Sequence, residues 1–215
     1  MQTLTEIMLT KKDEIGSSFT DIDVANLLFN RSAASRYALL KRALAAEEII
    51  RVRRGLYVLA SRYRTDPIDL YALASQIYKP SYISQESALS IHGIIPEEVK
   101  TVTSASFKRS CFFDTPLGQF RYHKSIFRDL FSVEHVKVDR FQSYLLASPL
   151  RALAELVNDP KLRLLSLVDC IESLRIEPEE LKSVVTKLNI EETLRQPLPK
   201  KVRVIFHEMK QELFS

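Results

Sequence analysis

The residues best suited to chemistry in this 215-residue chain lie between Asn30 and Arg64. Arg31, Ser32, Ser35 and Arg36 fall within six consecutive positions, and Arg42, Arg51, Arg53 and Arg54 follow. A guanidinium is always charged and presents a planar fork of donors, which suits phosphate oxygens and the edge of guanine. A serine hydroxyl adds a short group that both donates and accepts. The segment holds nine Lys and Arg against two carboxylates, Glu47 and Glu48, an excess of seven positive charges, whereas the whole chain carries only +4. Such concentration is the footprint of a surface made for a polyanion, although a solvated face on a small helical domain has the same composition. The expected division of labour puts Arg31, Ser32, Ser35 and Arg36 on base edges. Arg42, Arg51, Arg53 and Arg54 are expected on phosphates or in the minor groove.

These groups need elements to hold them, and the stretch from Phe19 to Ala60 supplies a pattern. A short helix capped by Thr20 or Asp21 carries Ile22, Ala25, Leu28 and Phe29 at helical spacing, toward a small core. Asn30-Arg31-Ser32 breaks it, and Ser32 can cap a second helix from Ala33 to Glu47. In that helix Ala33, Tyr37, Leu40 and Leu44 define the expected core side, with Lys41 near it, its stem packed and its ammonium reaching out. Ser35, Leu39 and Arg42 define the exposed side, where Leu39 would meet a thymine methyl or a neighbouring domain. Ile49 to Leu59 alternates as a strand pair, with Ile50, Val52, Leu56 and Val58 half-buried and Arg53-Arg54-Gly55 at the turn. Tyr57 is expected to pack the hairpin onto the helices. Helix, turn, helix and basic hairpin form the layout of a winged helix-turn-helix. An amphipathic helix from Leu4 to Glu14, with Leu4, Ile7 and Met8 on one side, would precede it. The polar stretch Ser61 to Pro67 sets the expected boundary, giving domains 1–64 and 65–215.

The second region reads as mixed. Helices are expected over Ile68–Tyr78, Gln85–His92 (capped by Ser84 and ended by Gly93) and Pro149–Val157. Strands are expected at Tyr82–Ser84, Lys100–Ala105, on either side of Asp114–Gly118, and over His135–Phe141. Three apolar stripes follow: Leu164, Leu167, Val168, Ile171 and Leu174; then Leu181, Val184, Val185 and Leu188; then Val202, Ile205, Phe206, Met209 and Leu213. The expected fold class is α+β, with an N-terminal winged helix-turn-helix followed by a mixed α/β domain with a helical C-terminal part.

Composition narrows the function further. The chain is 46% hydrophobic, has four glycines, and holds no apolar run near the ~20 residues of a membrane span. Its first residues lack a signal-peptide pattern. Cys111 and Cys170 are too isolated for a disulfide framework, and a reducing cytoplasm is the expected compartment. No catalytic motif is present: His92, His123, His135 and His207 are spread out, and no phosphate loop or nucleophile elbow occurs. A nuclease centre built from Asp114, Asp129, Glu134 and Asp139 is the one enzymatic alternative. The expectation is a non-enzymatic protein without cofactor or metal. Lys108-Arg109 and Lys200-Lys201 with Arg203 are further basic clusters, each equally suited to a solvated face.

In order along the chain, several segments are similar to the AbiEi antitoxins of bacterial type IV toxin–antitoxin systems. They are the hairpin Ile50–Leu59, Tyr82-Ile83-Ser84, Ser87-Ala88-Leu89, Gly93, Thr101-Val102-Thr103, Gly118–His123 and Ala147–Leu156. The last resembles a helix of the type A-x-P-x-R-A-L-x-D-L, with Glu155 where Asp is usual. The resemblance spans about 21–157, and the helices after Pro160 match no motif. It implies a winged domain that binds repeats of double-stranded DNA in its own promoter, and a C-terminal domain that neutralises a nucleotidyltransferase-like toxin without needing stable contact with it. A stand-alone winged-helix regulator, whose second domain senses a ligand or a protein, is the alternative.

Overall fold

The computed structural model describes residues 2–11, 14–96 and 99–214 as a mixed α+β protein with ten α-helices and two sheets. The chain opens with α1 (Leu4–Thr10), β1 (Ser18–Thr20), α2 (Asp21–Leu27), α3 (Ala33–Ala45) and the hairpin β2 (Ile49–Arg53) and β3 (Leu56–Leu59). Lys12 and Asp13, within the expected first helix, lie outside the described residues. Thr20 caps α2 in a reciprocal capping box with Asp23, and the Ser32 hydroxyl accepts the Ser35 N–H at the start of α3. Strands β1, β3 and β2 form an antiparallel sheet in that order. Strand β1 has no counterpart among the expected elements; three residues are too few for alternation to register.

Then come α4 (Leu70–Ile77), β4 (Ser81–Ile83), α5 (Gln85–Ile91), β5 (Thr101–Ser106), β6 (Cys111–Thr115), β7 (Gly118–Lys124), β8 (Val133–Lys137), β9 (Ser143–Ala147) and α6 (Pro149–Val157). The six strands form one mixed sheet in the order β6-β7-β5-β4-β9-β8. Adjacent residues point to opposite faces. Tyr122 therefore turns toward α4, donating its hydroxyl to the Ala74 carbonyl at 2.7 Å, while Thr103 turns toward α5, exchanging hydrogen bonds with Ser87. Helices α7 (Leu167–Leu174), α8 (Pro178–Val184), α9 (Lys187–Leu194) and α10 (Lys200–Phe214) complete the chain. The last expected stripe is buried at Val202, Ile205, Phe206 and Met209. The earlier two need correction: Val168 and Leu188 are exposed, and Leu188 belongs to a separate helix begun by a Thr186 cap.

Two apolar cores meet at the small sheet. One joins Leu4, Ile7 and Met8 of α1 to Phe19, Val24, Leu39, Leu40, Ile49, Tyr57 and Leu59. The other holds Val52, Leu56 and Val58 together with α4, the large sheet, α6 and the C-terminal helices. The hairpin is thus buried on both sides, and Ile50, Val52, Leu56 and Val58 form the side turned away from the helices that precede it.

Helix α6 is buried along nearly its whole length, and it carries Arg151 and Glu155 one turn apart. Arg151 is fully buried. Its guanidinium lies 4.6 Å from the Tyr82 ring centre and 4.3 Å from that of Phe127. It donates to the carbonyls of Phe131 and Asp129 and to the Tyr82 hydroxyl. Glu155 accepts from Tyr82, Ser84 and Ser125. Ser84 stands at the N-cap of α5 as expected, but its side chain makes no cap bond and its hydroxyl is turned to Glu155 instead. Burial raises the Glu155 carboxyl above the usual carboxylate range, against the opposing pull of Ser125, Ser84, Tyr82 and Arg151.

Replacing Arg151 with alanine should therefore cost about 3–5 kcal/mol in urea unfolding, since it leaves the partly buried Phe131 and Asp129 carbonyls and the Tyr82 oxygen without their donor and removes the cation near Glu155. A raised folded pKa also sets a sign. The native state holds the Glu155 proton more tightly than the unfolded chain. Its contribution is full below the unfolded value of about 4.3 and is lost as pH rises through the folded value. The stability of wild type relative to Glu155→Gln should fall across that window, and a difference that is flat or rises with pH would contradict the assignment.

Candidate nucleic-acid interface

Helix α3 and the hairpin enclose a cleft of about 540 Å³ lined by Asp21, Arg36, Tyr37, Lys41, Arg51, Arg54 and Tyr57 among others. The geometry follows from strand alternation. Arg51 stands opposite Tyr57, whose side chain lies in the helix-side core, so Arg51 projects on the α3 side. Arg53 stands opposite Leu56, whose side chain lies in the other core, and a register shift separates Arg51 from Arg53. Arg54 occupies the turn with Gly55, which has φ +77°. The Asp21 N–H donates to the Gly55 carbonyl at 3.3 Å, tying the turn to the start of α2. Tyr57 stacks on Phe19, its partner across the β1–β3 pair, with ring centres 5.8 Å apart, which fastens the hairpin to β1. Burial raises the Tyr57 phenol, and the neighbouring Asp21 carboxylate raises it further.

The structure brings together Arg36, Arg51 and Arg54 of the expected contacts. Arg31 is half-buried, and its carbonyl accepts a 2.6 Å bond from Arg36 Nη1. Ser32 is exposed at the helix start with its oxygen engaged as a cap, and Ser35 is half-buried. Arg42 lies apart, beside a recess formed with Thr3, Leu4, Leu39 and Glu48. Arg53 is exposed on the other side of the hairpin, where its charge acts on the Tyr122 phenol. Among the described residues none of these arginines is in an ion pair.

The expected facing of α3 is corrected. Leu39 is 2% exposed and belongs to the core, while Tyr37 is 70% exposed and belongs to the cleft, as does Lys41. The cause is α1, whose Leu4 and Met8 share the core that takes up Leu39. A single helix's periodicity gives an apolar arc but not which edge of it a neighbour covers. In α2 the same correction applies: Val24 and Leu28 are buried, and Ile22 and Phe29 are exposed.

Among the described residues, no group of three or more His, Cys, Asp or Glu gathers as a metal ion would require. No helix among them is long and apolar enough to cross a membrane. Compared with protein-family profiles and with curated proteins, the chain matches none.

Gly55 offers a direct check on the cleft. A Cβ there would lie 3.1 Å from Asp21 Oδ2, and φ is positive. Gly55→Ala should lower unfolding stability by about 1–2 kcal/mol. An unchanged midpoint would mean that the turn is not held as described.

Proposed function

We propose that this chain is a DNA-binding autorepressor and antitoxin, with a winged helix-turn-helix at its N-terminus and a second domain, from about residue 65, that counteracts a nucleotidyltransferase-type toxin. The observation that carries the DNA reading is the cationic cleft between α3 and the hairpin, lined by Arg36, Lys41, Arg51 and Arg54 with Asp21 as its acidic member. Phosphates entering such a cleft meet guanidinium donors that have no carboxylate to release first. The order of elements, helix, strand, helix, helix and hairpin, supports a winged arrangement in which α3 enters the major groove and the hairpin flanks it.

The antitoxin half rests on the ordered resemblance. Its segments, far apart in sequence, meet in one network: Tyr82 and Ser84 on Glu155, and Ser87 on Thr103. Glu155, where the resemblance calls for Asp, sits at the centre of that network. A shared internal scaffold supports a shared fold for the second domain. The toxin-directed role itself is tested by co-expression. The chain should restore growth of cells producing the nucleotidyltransferase encoded beside it, and no rescue would withdraw the antitoxin half.

DNA binding is tested by fluorescence anisotropy on the duplex upstream of the chain's own reading frame, beside a scrambled duplex, at two salt concentrations. Arg51→Ala with Arg54→Ala should weaken binding to both and flatten the salt slope by about two units, roughly 0.9 for each phosphate no longer neutralised. Equal affinity of wild type for both duplexes would overturn the autorepressor reading.

A further inference from the structure

On the outward face of α3 the charged groups that reach the cleft are Arg36 and Lys41, and much of the rest is small or apolar. Ala33, Ala34 and Ala38 are exposed there, and Tyr37 stands among them. The Tyr37 ring is 70% exposed. Among the described residues its hydroxyl makes no hydrogen bond and its ring no aromatic contact within the protein. A large aromatic left in water on one wall of a cationic cleft does nothing for the core. The alanines beside it have short side chains, so the helix backbone can come close to whatever the cleft receives.

Chemistry decides what Tyr37 would meet there. Phosphates are better served by Arg36, Lys41, Arg51 and Arg54, which are charged, than by a neutral phenol. What a ring framed by alanine methyls offers is apolar surface. In the major groove the apolar group on a base edge is the 5-methyl of thymine. We propose that Tyr37 is the specificity-determining residue of α3, its ring packing on a thymine methyl in the operator. This rests on the DNA-binding reading and adds the base class that α3 selects.

The test uses the full chain and two duplexes of the upstream DNA, one natural and one with deoxyuridine for every thymidine, which removes only the methyls. Wild type should bind the uracil duplex more weakly, about fourfold for each methyl touched. Tyr37→Phe should keep that difference, since the ring and not the hydroxyl makes the contact. Tyr37→Ala should lose affinity for the natural duplex and bind both alike, because the two deletions remove the same interaction. Tyr37 is exposed, so an unchanged unfolding midpoint for both variants shows that the fold is intact.

Wild type that prefers the natural sequence to a scrambled one yet ignores the methyls would overturn the proposal and leave the DNA reading standing. So would a Tyr37→Ala variant that still discriminates uracil from thymine, or a Tyr37→Phe variant that does not. Wild type with no preference over scrambled DNA would remove the DNA reading and this inference with it.

Discussion

A guanidinium and a carboxyl one turn apart on a helix without a solvent face must both find partners inside the protein. Helix α6 imposes that condition, and the elements around it are arranged to meet it. Arg151 takes carbonyls from the chain between β7 and β8 and a hydroxyl from β4. Glu155 takes hydroxyls from Tyr82, Ser84 and Ser125. The two charges are joined through Tyr82, whose oxygen accepts from Arg151 and whose proton goes to Glu155. A phenol held in that position is itself disfavoured from ionising, chiefly by its burial and then by the Glu155 carboxylate. Buried polar groups cost least when they are paired, and here all but Arg151 Nε are, so β4, the β7–β8 connection and α6 must assemble together.

The small sheet is the second constraint, because it serves two cores at once. Its helix-side face holds Phe19, Tyr57, Ile49 and Leu59. Its other face gives Val52, Leu56 and Val58 to the core shared with α4 and the large sheet. Gln76 adds a 3.0 Å bond from its amide to Ser18 of β1, and Gly16 has room for no Cβ, since one would fall 2.7 Å from Phe141 Cβ. The hairpin therefore cannot swing on a hinge without opening apolar surface on one side or the other. Cations carried on it are held in fixed register with α3, which reduces what a ligand must spend on ordering them.

Much of this is legible in the residues. Ser32 as a cap, the Arg54-Gly55 turn and the last amphipathic helix follow from local rules, and the structure has them, whereas the hairpin expected to be half-buried has all four residues of β3 inside. Several of the departures share one physical cause: they depend on a neighbour far away in sequence. Leu39 and Tyr37 exchange roles because α1 covers one edge of α3. The Ser84 side chain makes no cap bond and turns instead to a carboxyl seventy-one positions later. Strand β9 escapes notice because Ser143–Ala147 lies largely inside, between β4 and β8, and shows only a short apolar run without alternation. Arg53 parts from Arg51 through a bulge, and a bulge changes which face a side chain takes without leaving a mark in the sequence.

The separation of Arg51 from Arg53 bears on how the two halves of the molecule relate. Arg51 opens into the cleft, whereas Arg53 projects toward the face where Tyr122, Tyr78 and Phe113 cluster, with Tyr122 and Tyr78 ring centres 5.1 Å apart. The hairpin thus presents one cationic side to the cleft and gives its apolar side, with Arg53 at the end, to the core shared with α4 and the large sheet. A change in how that core packs against Val52, Leu56 or Val58 would move Arg51 and Arg54 as well, because they sit on the same hairpin. Coupling of this kind requires no separate relay: the element that lines the cleft is also part of the other core.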